Sequence, residues 1–444
     1  MSDVPRLIAR YNNREAQVSK SRILKPRRRW AACGIFLVAF LAAGLTACGD
    51  SSPLAAQPFN ASGGLSISPG DGVTKADPNK PVTVTAKGRN SRITDVMVVD
   101  NAGRLVRGEL ADSGTSWHTS SPLAAGARYT VRVSTADSDG SPGRGSATFT
   151  TAASDKLLRA TFGPDGKEYG VGQPVTAQLS HKVTDPAARA LVERGLRVTS
   201  TPAAHGRWYW VDDQTLHYRP EEYWPAHATV TVESRLDGTR IQDGLYGGSS
   251  PALTFRTRDR IVALVDAAEH RMTVTRNGKE IRTIPVTTGK PGFDTRNGVK
   301  VVLEQEEQVR MTGTSIGIAA GSSESYDLDV RWATRVTWSG EFVHAAPWSV
   351  GSQGYANVSH GCTGMSTEAA EWFFKLAKPG DVVKVVNSEG SMMTPFDNGY
   401  GDWNLDWAKW RQGSALDKVA ASQYGIDQAD LPVAASARLR PQQS

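Results

Sequence analysis

From residue 65 onward, hydrophobic and polar residues alternate in short runs interrupted by turn residues. Such runs occupy 82–85, 95–99, 129–133 and 147–150, and Ser68-Pro-Gly-Asp-Gly72 and Asp100-Asn-Ala-Gly103 are turn signals among them. A two-residue period is that of a strand with one buried face. Several such strands at this spacing, with no helical period among them, predict a β-sandwich.

A second stretch, 157–257, repeats the style at 175–179, 196–199, 208–211, 215–218 and 229–232. Both stretches close on a similar strand, 147–150 and 253–257. Two tandem immunoglobulin-like modules are therefore expected, at 65–153 and 154–258. One or two helical turns are allowed at 186–194. Trp208, Tyr209, Trp210, Tyr218, Tyr223 and Trp224 cluster in the second module. Core and interdomain packing is the expected use of these rings, ahead of a carbohydrate platform.

The texture changes at Ile261. Runs at 261–265 and 272–276 read as strands, and Asn277-Gly278 is a two-residue hairpin signal that returns the chain along 280–288. Further strands are expected at 299–303, 329–338, 341–346 and 381–386. One helix is clear, with Ala369, Ala370, Trp372, Phe373, Leu376 and Ala377 on one face. Ser366 would cap it, and Pro379-Gly380 would stop it. The prediction for 259–387 is a β-rich domain with one docked helix. Trp403, Trp407 and Trp410 at i, i+4, i+7 suggest one face of a short helix docked on that domain, within a small subdomain at 388–412. The Ala-, Gln- and Ser-rich residues 413–444 read as a flexible tail. The fold class is thus mainly β.

A chain of 444 residues is too long for one core and fits this division. With 39% hydrophobic and 22% charged residues it is neither a disordered polymer nor a multi-span membrane protein. The formal charge of +6 would suggest an acidic partner, but nine of the 51 basic residues and only two of the 45 acids lie in residues 1–47. The rest is nearly neutral, so charge gives no reason to expect nucleic acid as a partner.

Arg22, Lys25 and Arg27 to Arg29 precede an apolar run from Ala31 to Leu45. At 1.5 Å per residue this run falls short of a hydrocarbon core of roughly 30 Å, and it fits a signal segment better than a span. It ends in Leu45-Thr-Ala-Cys48, followed by Gly49-Asp-Ser-Ser52. This resembles the lipobox of bacterial lipoproteins, which implies a signal peptide at 1–47, an acylated Cys48, a tether at 48–64, and a body held at the outer face of the cytoplasmic membrane. An ordinary cleaved signal with a chance cysteine is the alternative.

Cys33 and Cys48 belong to that leader, and Cys362 stands alone in the body, which rules out a disulfide framework there. Cys362 lies in Asn357-Val-Ser-His-Gly-Cys-Thr-Gly-Met365, downstream of Phe342-Val-His-Ala-Ala-Pro-Trp-Ser349. Its small, polar flanks are those of an exposed loop, whereas an inert thiol is usually buried. A thiol attacks as thiolate, so it needs a base or a cationic neighbour. His360 and His344 both qualify, and chain geometry leaves the choice open because Gly361 permits a sharp turn. The Gly361 and Cys362 amides could form an oxyanion hole. With no second cysteine or His-x-x-x-His pattern nearby, no metal site is expected, and no cofactor.

Ser359-His360-Gly361-Cys362 with His344 upstream resembles the signature of the L,D-transpeptidases, the YkuD-type catalytic domain. The whole arrangement is similar to the actinobacterial lipoprotein members. The resemblance implies that Cys362 attacks a stem tetrapeptide of peptidoglycan, releases D-Ala and forms a thioester. A diamino-acid side chain of a neighbouring stem then resolves it into a 3→3 cross-link. His344 would be the base, the Ala345 carbonyl would orient its ring, and Gly361 would supply an oxyanion amide. Tyr326, Met311, Trp348, Asn357, Ser359 and His360 would line the substrate cleft, and carbapenem β-lactams would be inhibitors. Two departures from the family pattern stand out. Gly364 occupies a position where relatives often carry Arg or Asn, and Thr295-Arg-Asn-Gly298 replaces the commoner Thr-Pro-x-Gly. A carboxypeptidase or endopeptidase using the same thiol, and a non-catalytic wall-binding lipoprotein, are the competing readings.

Overall fold

A computed structural model describes residues 57–87 and 91–424. The expectations for the signal segment, Cys33, the lipidated Cys48 and most of the tether lie outside the described residues.

In the first module a five-stranded sheet runs in the order Phe59–Asn60, Pro142–Thr150, Arg128–Ala136, Arg92–Asp100, Leu105–Val106. A four-stranded sheet (Leu65–Ser68, Thr83–Ala86, Ser116–Thr119, Gly108–Leu110) faces it. Alternation produces the sandwich directly. Along Arg128–Ala136 the side chains of Tyr129, Val131 and Val133 are buried and their neighbours are not, and they meet Val84, Trp117 and Phe149 in one core.

The second module pairs two four-stranded sheets. One contains Ala160–Gly163, Val175–Leu179, Thr215–Pro220 and Gly206–Trp210, and the other Glu168–Tyr169, Leu253–Thr257, Thr229–Ser234 and Leu196–Thr201. The helical turns allowed near 186–194 are a ten-residue helix, Pro186–Gly195. Asp185 caps it by accepting from the Ala188 amide at 2.7 Å, with proline at the start where no N–H is required. Trp208, Trp210, Tyr218 and Trp224 are buried in this core. The rings therefore serve packing.

The C-terminal domain carries two sheets. Its five-stranded sheet is ordered Lys279–Pro285, Arg271–Arg276, Ile261–Asp266, Val382–Val386, Gly298–Val301. Asn277 and Gly278 both take positive φ (51° and 82°) in the tight turn between the first two of these in sequence. The four-stranded sheet is ordered Glu304–Thr312, Asp327–Arg335, Phe342–Ala345, Thr363–Met365. Helix Thr367–Leu376 packs on it through Ala369, Ala370 and Phe373, with Ser366 Oγ accepting from the Ala369 amide at 3.2 Å.

Two expectations about the C-terminal segment need correction. The three tryptophans do not share one helix. Trp403 lies in a 3-10 turn, Asp402–Asn404, and Asp406 starts a separate helix, Trp407–Gln412, by accepting from the Lys409 amide. Nor do they dock chiefly on the catalytic domain. Trp403 Nε1 donates to Gly172 O and Trp410 Nε1 to Arg207 O, both at 2.9 Å, and the Arg219 guanidinium stacks under all three rings. These partners belong to the second module, while Asn404 reaches back to both backbone groups of Val299 in the catalytic domain.

The expected tail is ordered as far as the helix Ala415–Tyr424. Ser414 Oγ accepts from the Asp417 amide, and the buried Glu193 carboxylate accepts from Ser414 Oγ and the Ala415 and Leu416 amides. A helix start held this way is not free to fray.

Candidate active site

Strands Phe342–Ala345 and Thr363–Met365 run parallel, in the register Val343↔Thr363, His344↔Gly364, Ala345↔Met365. One step back, this register sets Cys362 beside Phe342. Because the side-chain period is two, the residues at 362 and 344 face the same side of the sheet. Between His360 and Cys362, Gly361 has φ of 115°, a conformation open to glycine and strained for other residues. The turn sends His360 away along the loop.

Cys362 and His344 line one cavity of about 690 Å³, together with Met311, Tyr326, Trp348, Ser359 and His360. The sulfur lies 3.5 Å from Gly340 O, and the Phe342 amide points at it. Burial pushes the Cys362 thiol up to about 11; Glu341 adds to this, while the Phe342 amide, Lys300 and Arg335 act against it. His344 is buried, and that burial holds its imidazole below the ordinary histidine value. Its Nδ1 lies 2.7 Å from Ala345 O. A carbonyl only accepts, so Nδ1 carries the proton and Nε2 is left as the basic nitrogen.

The two histidines thus have different surroundings. His360 Nε2 is bonded to Glu324 Oε2 at 2.8 Å, and its ring packs against Phe293 and Tyr326. Glu324 is also bonded to Lys290, and the two cations hold its carboxyl below the usual range. Ser359 Oγ donates to Cys362 O at 2.7 Å and accepts from the Gly361 amide at 3.1 Å. The amide expected in an oxyanion hole is therefore engaged by a hydroxyl.

Asn357 does not line the cavity. Its Oδ1 accepts from the Thr288 amide at 2.9 Å and lies 3.0 Å from His270 Nδ1, and its Nδ2 donates to Ala267 O. These bonds fasten the loop to its neighbours and leave no group for a substrate. At Gly364 a Cβ would come within 2.9 Å of Ala346 Cβ and 3.1 Å of Thr287 Cγ2, so a larger residue requires both neighbours to yield. Sequence reasoning missed Lys300, Glu341 and Arg296, which form a buried cluster beside the cysteine. The available signal was a charge inside each of two apolar strands, Val299-Lys-Val-Val302 and Glu341-Phe-Val343.

Two β-sandwiches followed by a mixed sheet domain with a thiol and a singly protonated imidazole in one cavity define an acyl-transfer type of site. Family comparison is consistent with that class. Residues 73–240 match the bacterial Ig domain and residues 260–385 match the L,D-transpeptidase catalytic domain (YkuD). The chain is 32% identical over 411 residues to L,D-transpeptidase 2 of Mycobacterium tuberculosis, covering 90% of this chain and 98% of that protein. It is 34% identical over 365 residues to L,D-transpeptidase 5 of the same organism, covering 80% and 78%. The solved structure of the LD transpeptidase LdtMt1 in complex with imipenem covers 52% of this chain and 99% of its own, at 37% identity and a TM-score of 0.45. The chain belongs to the L,D-transpeptidase family.

Proposed function

We infer that this L,D-transpeptidase forms its 3→3 peptidoglycan cross-links through a thioester on Cys362, with His344 as the base. One observation carries the assignment: the only imidazole fixed with a free basic nitrogen in the cavity is on the strand beside the cysteine, in matching register. At neutral pH the resting pair is thiol and imidazole, since burial disfavours both charged forms. The proton therefore passes from Sγ to His344 Nε2 as sulfur attacks the stem carbonyl. The imidazolium then protonates the departing D-Ala amine, and the C–N bond breaks. In the second half the acceptor's amine attacks the thioester, loses its proton to His344, and the thiol is restored.

In this reading the Cys362 amide, joined by the Gly361 amide when Ser359 Oγ yields it, holds the oxyanion. Tyr326, His360, Met311 and Trp348 make the donor wall, and Ser359 and Gly361 make the floor. A carbapenem would acylate the same sulfur. Acylation of Cys48 would hold the body at the outer face of the membrane, and the sandwiches would set its distance from it.

The test is intact mass after incubation with a stem tetrapeptide and with a carbapenem, alongside Cys362→Ala. An adduct on the native protein only, together with dimeric muropeptides, is expected. An equal adduct on the variant would refute the assignment, and monomeric products alone would make water the acceptor.

A further inference from the structure

The cluster beside the cysteine has no part in the mechanism above. Lys300, 1% exposed, places Nζ 2.6 Å from Glu341 Oε2. The other carboxylate oxygen accepts from the Arg296 amide at 3.0 Å and from Arg296 Nη1 at 3.3 Å. Glu341 is itself buried, and its amide donates to Thr337 Oγ1. Lys300 lies on the edge strand of one sheet and Glu341 opens a strand of the other, so the pair ties the two sheets together. Glu341 also stands between Gly340, whose carbonyl meets the sulfur, and Phe342, whose amide points at it.

A buried ion pair is a poor device for stability alone, because two desolvated charges often do no better than two apolar side chains of the same volume. Its position suggests another use. We propose that Lys300 and Glu341, closed on the outer side by Arg296, are positioning residues for the nucleophile. They fix the 340–342 backbone against the sulfur and balance the charge that it meets. Facing the sulfur are Glu341, Lys300 on its strand, Arg335 on the neighbouring strand, Tyr326 across the cavity, and the neutral His344. Glu341 opposes ionisation of the thiol, and Lys300 and Arg335 favour it. Removing one partner of the pair therefore tilts the sulfur in a direction set by the partner that remains.

The proposal rests on Cys362 as nucleophile, but its test reads the thiol itself. In the mature protein, the rate of alkylation by iodoacetamide is followed against pH, with Cys362→Ala as the blank. Glu341→Gln should move the midpoint down and Lys300→Met should move it up, each by about one unit, or about tenfold in rate below the midpoint. Shifts of the same sign, or none, overturn the proposal. Should either single variant fail to fold, Lys300→Met/Glu341→Met decides. It should keep a midpoint near the native one while kcat falls several-fold at unchanged KM, because the charge balance returns and the backbone anchor does not. Native kcat in that double variant would overturn the proposal as well. Loss of cross-linking with no adduct on native Cys362 would instead count against the function assigned above.

Discussion

Glu193 and Cys362 are both buried reactive groups, but the molecule treats them differently. Glu193 sits where the C-terminal segment crosses the second sandwich. It accepts from Trp210 Nε1, Ser414 Oγ and the Ala415 and Leu416 amides. Around it the indole N–H groups of Trp403 and Trp410 and the His217–Asp402 pair at 2.8 Å all have partners. Cys362 has one weak contact to a carbonyl and an amide pointing at it, and it borders open volume. The bracket engages its polar groups with one another, which makes it rigid. The pocket leaves the sulfur and one imidazole nitrogen for a reaction partner.

The difference can be broken from either side. Cys362→Ala should abolish adduct and cross-link formation, a loss on the order of a thousandfold or more, while the melting temperature moves by no more than about 2 °C. A large thermal shift would mean that the sulfur is structural. Glu193→Ala strands four donors in a buried site and should lower stability by about 3 kcal/mol. The protein that remains folded should keep native kcat, and the 415–424 helix should become the first site of proteolysis. Equal stability would show that the bracket does not hold the segment.

A third expectation separates the pocket's two groups. For His344 the folded-state value lies below 6.5, so the neutral ring is favoured by folding, and stability and activity are present above that value and fall as pH drops through it. The thiol, at about 11, is protonated throughout the physiological range. Acylation by a carbapenem should therefore rise through a midpoint below 6.5 and show no break near 8.5, where a free cysteine ionises. A midpoint near 8.5 would mean that attack starts from preformed thiolate.

The same contrast explains what the sequence could show. The sandwiches were legible because alternation along runs such as 129–133 is itself the burial pattern. The hairpin at Asn277-Gly278 and the helix after Ser366 were legible because one residue type fits each local geometry. Strand Glu304–Thr312 was not, because its Glu-Gln-Glu-Glu-Gln start puts polar residues on both faces. The order in 413–424 was hidden by its dull composition, although Ser414 with Asp417 three residues on is a helix-start signature. In the site, the loop Ser359 to Cys362 announced its chemistry. The choice between His344 and His360 depended on Glu324, thirty-six residues from His360, and no spacing rule finds such a partner.

The smallest effects distinguish the two regions most cleanly, because both contain a tryptophan near an edge. Trp403 donates to Gly172 O and stacks over Arg219. Phenylalanine there keeps the ring and loses the hydrogen bond, so stability should fall by about 1 kcal/mol with kinetic constants unchanged. Trp348, 54% exposed on the cavity wall with its ring 6.0 Å from that of His344, makes no bond that the fold requires. Trp348→Phe should leave the melting temperature in place and raise KM for the stem peptide about two- to fivefold, since only substrate is there to cover the lost surface. Thermal melts and steady-state kinetics on the two variants check both. If Trp348→Phe lowered stability as much as Trp403→Phe, the cavity wall would be part of the frame, and the division drawn between bracket and pocket would fail at its boundary.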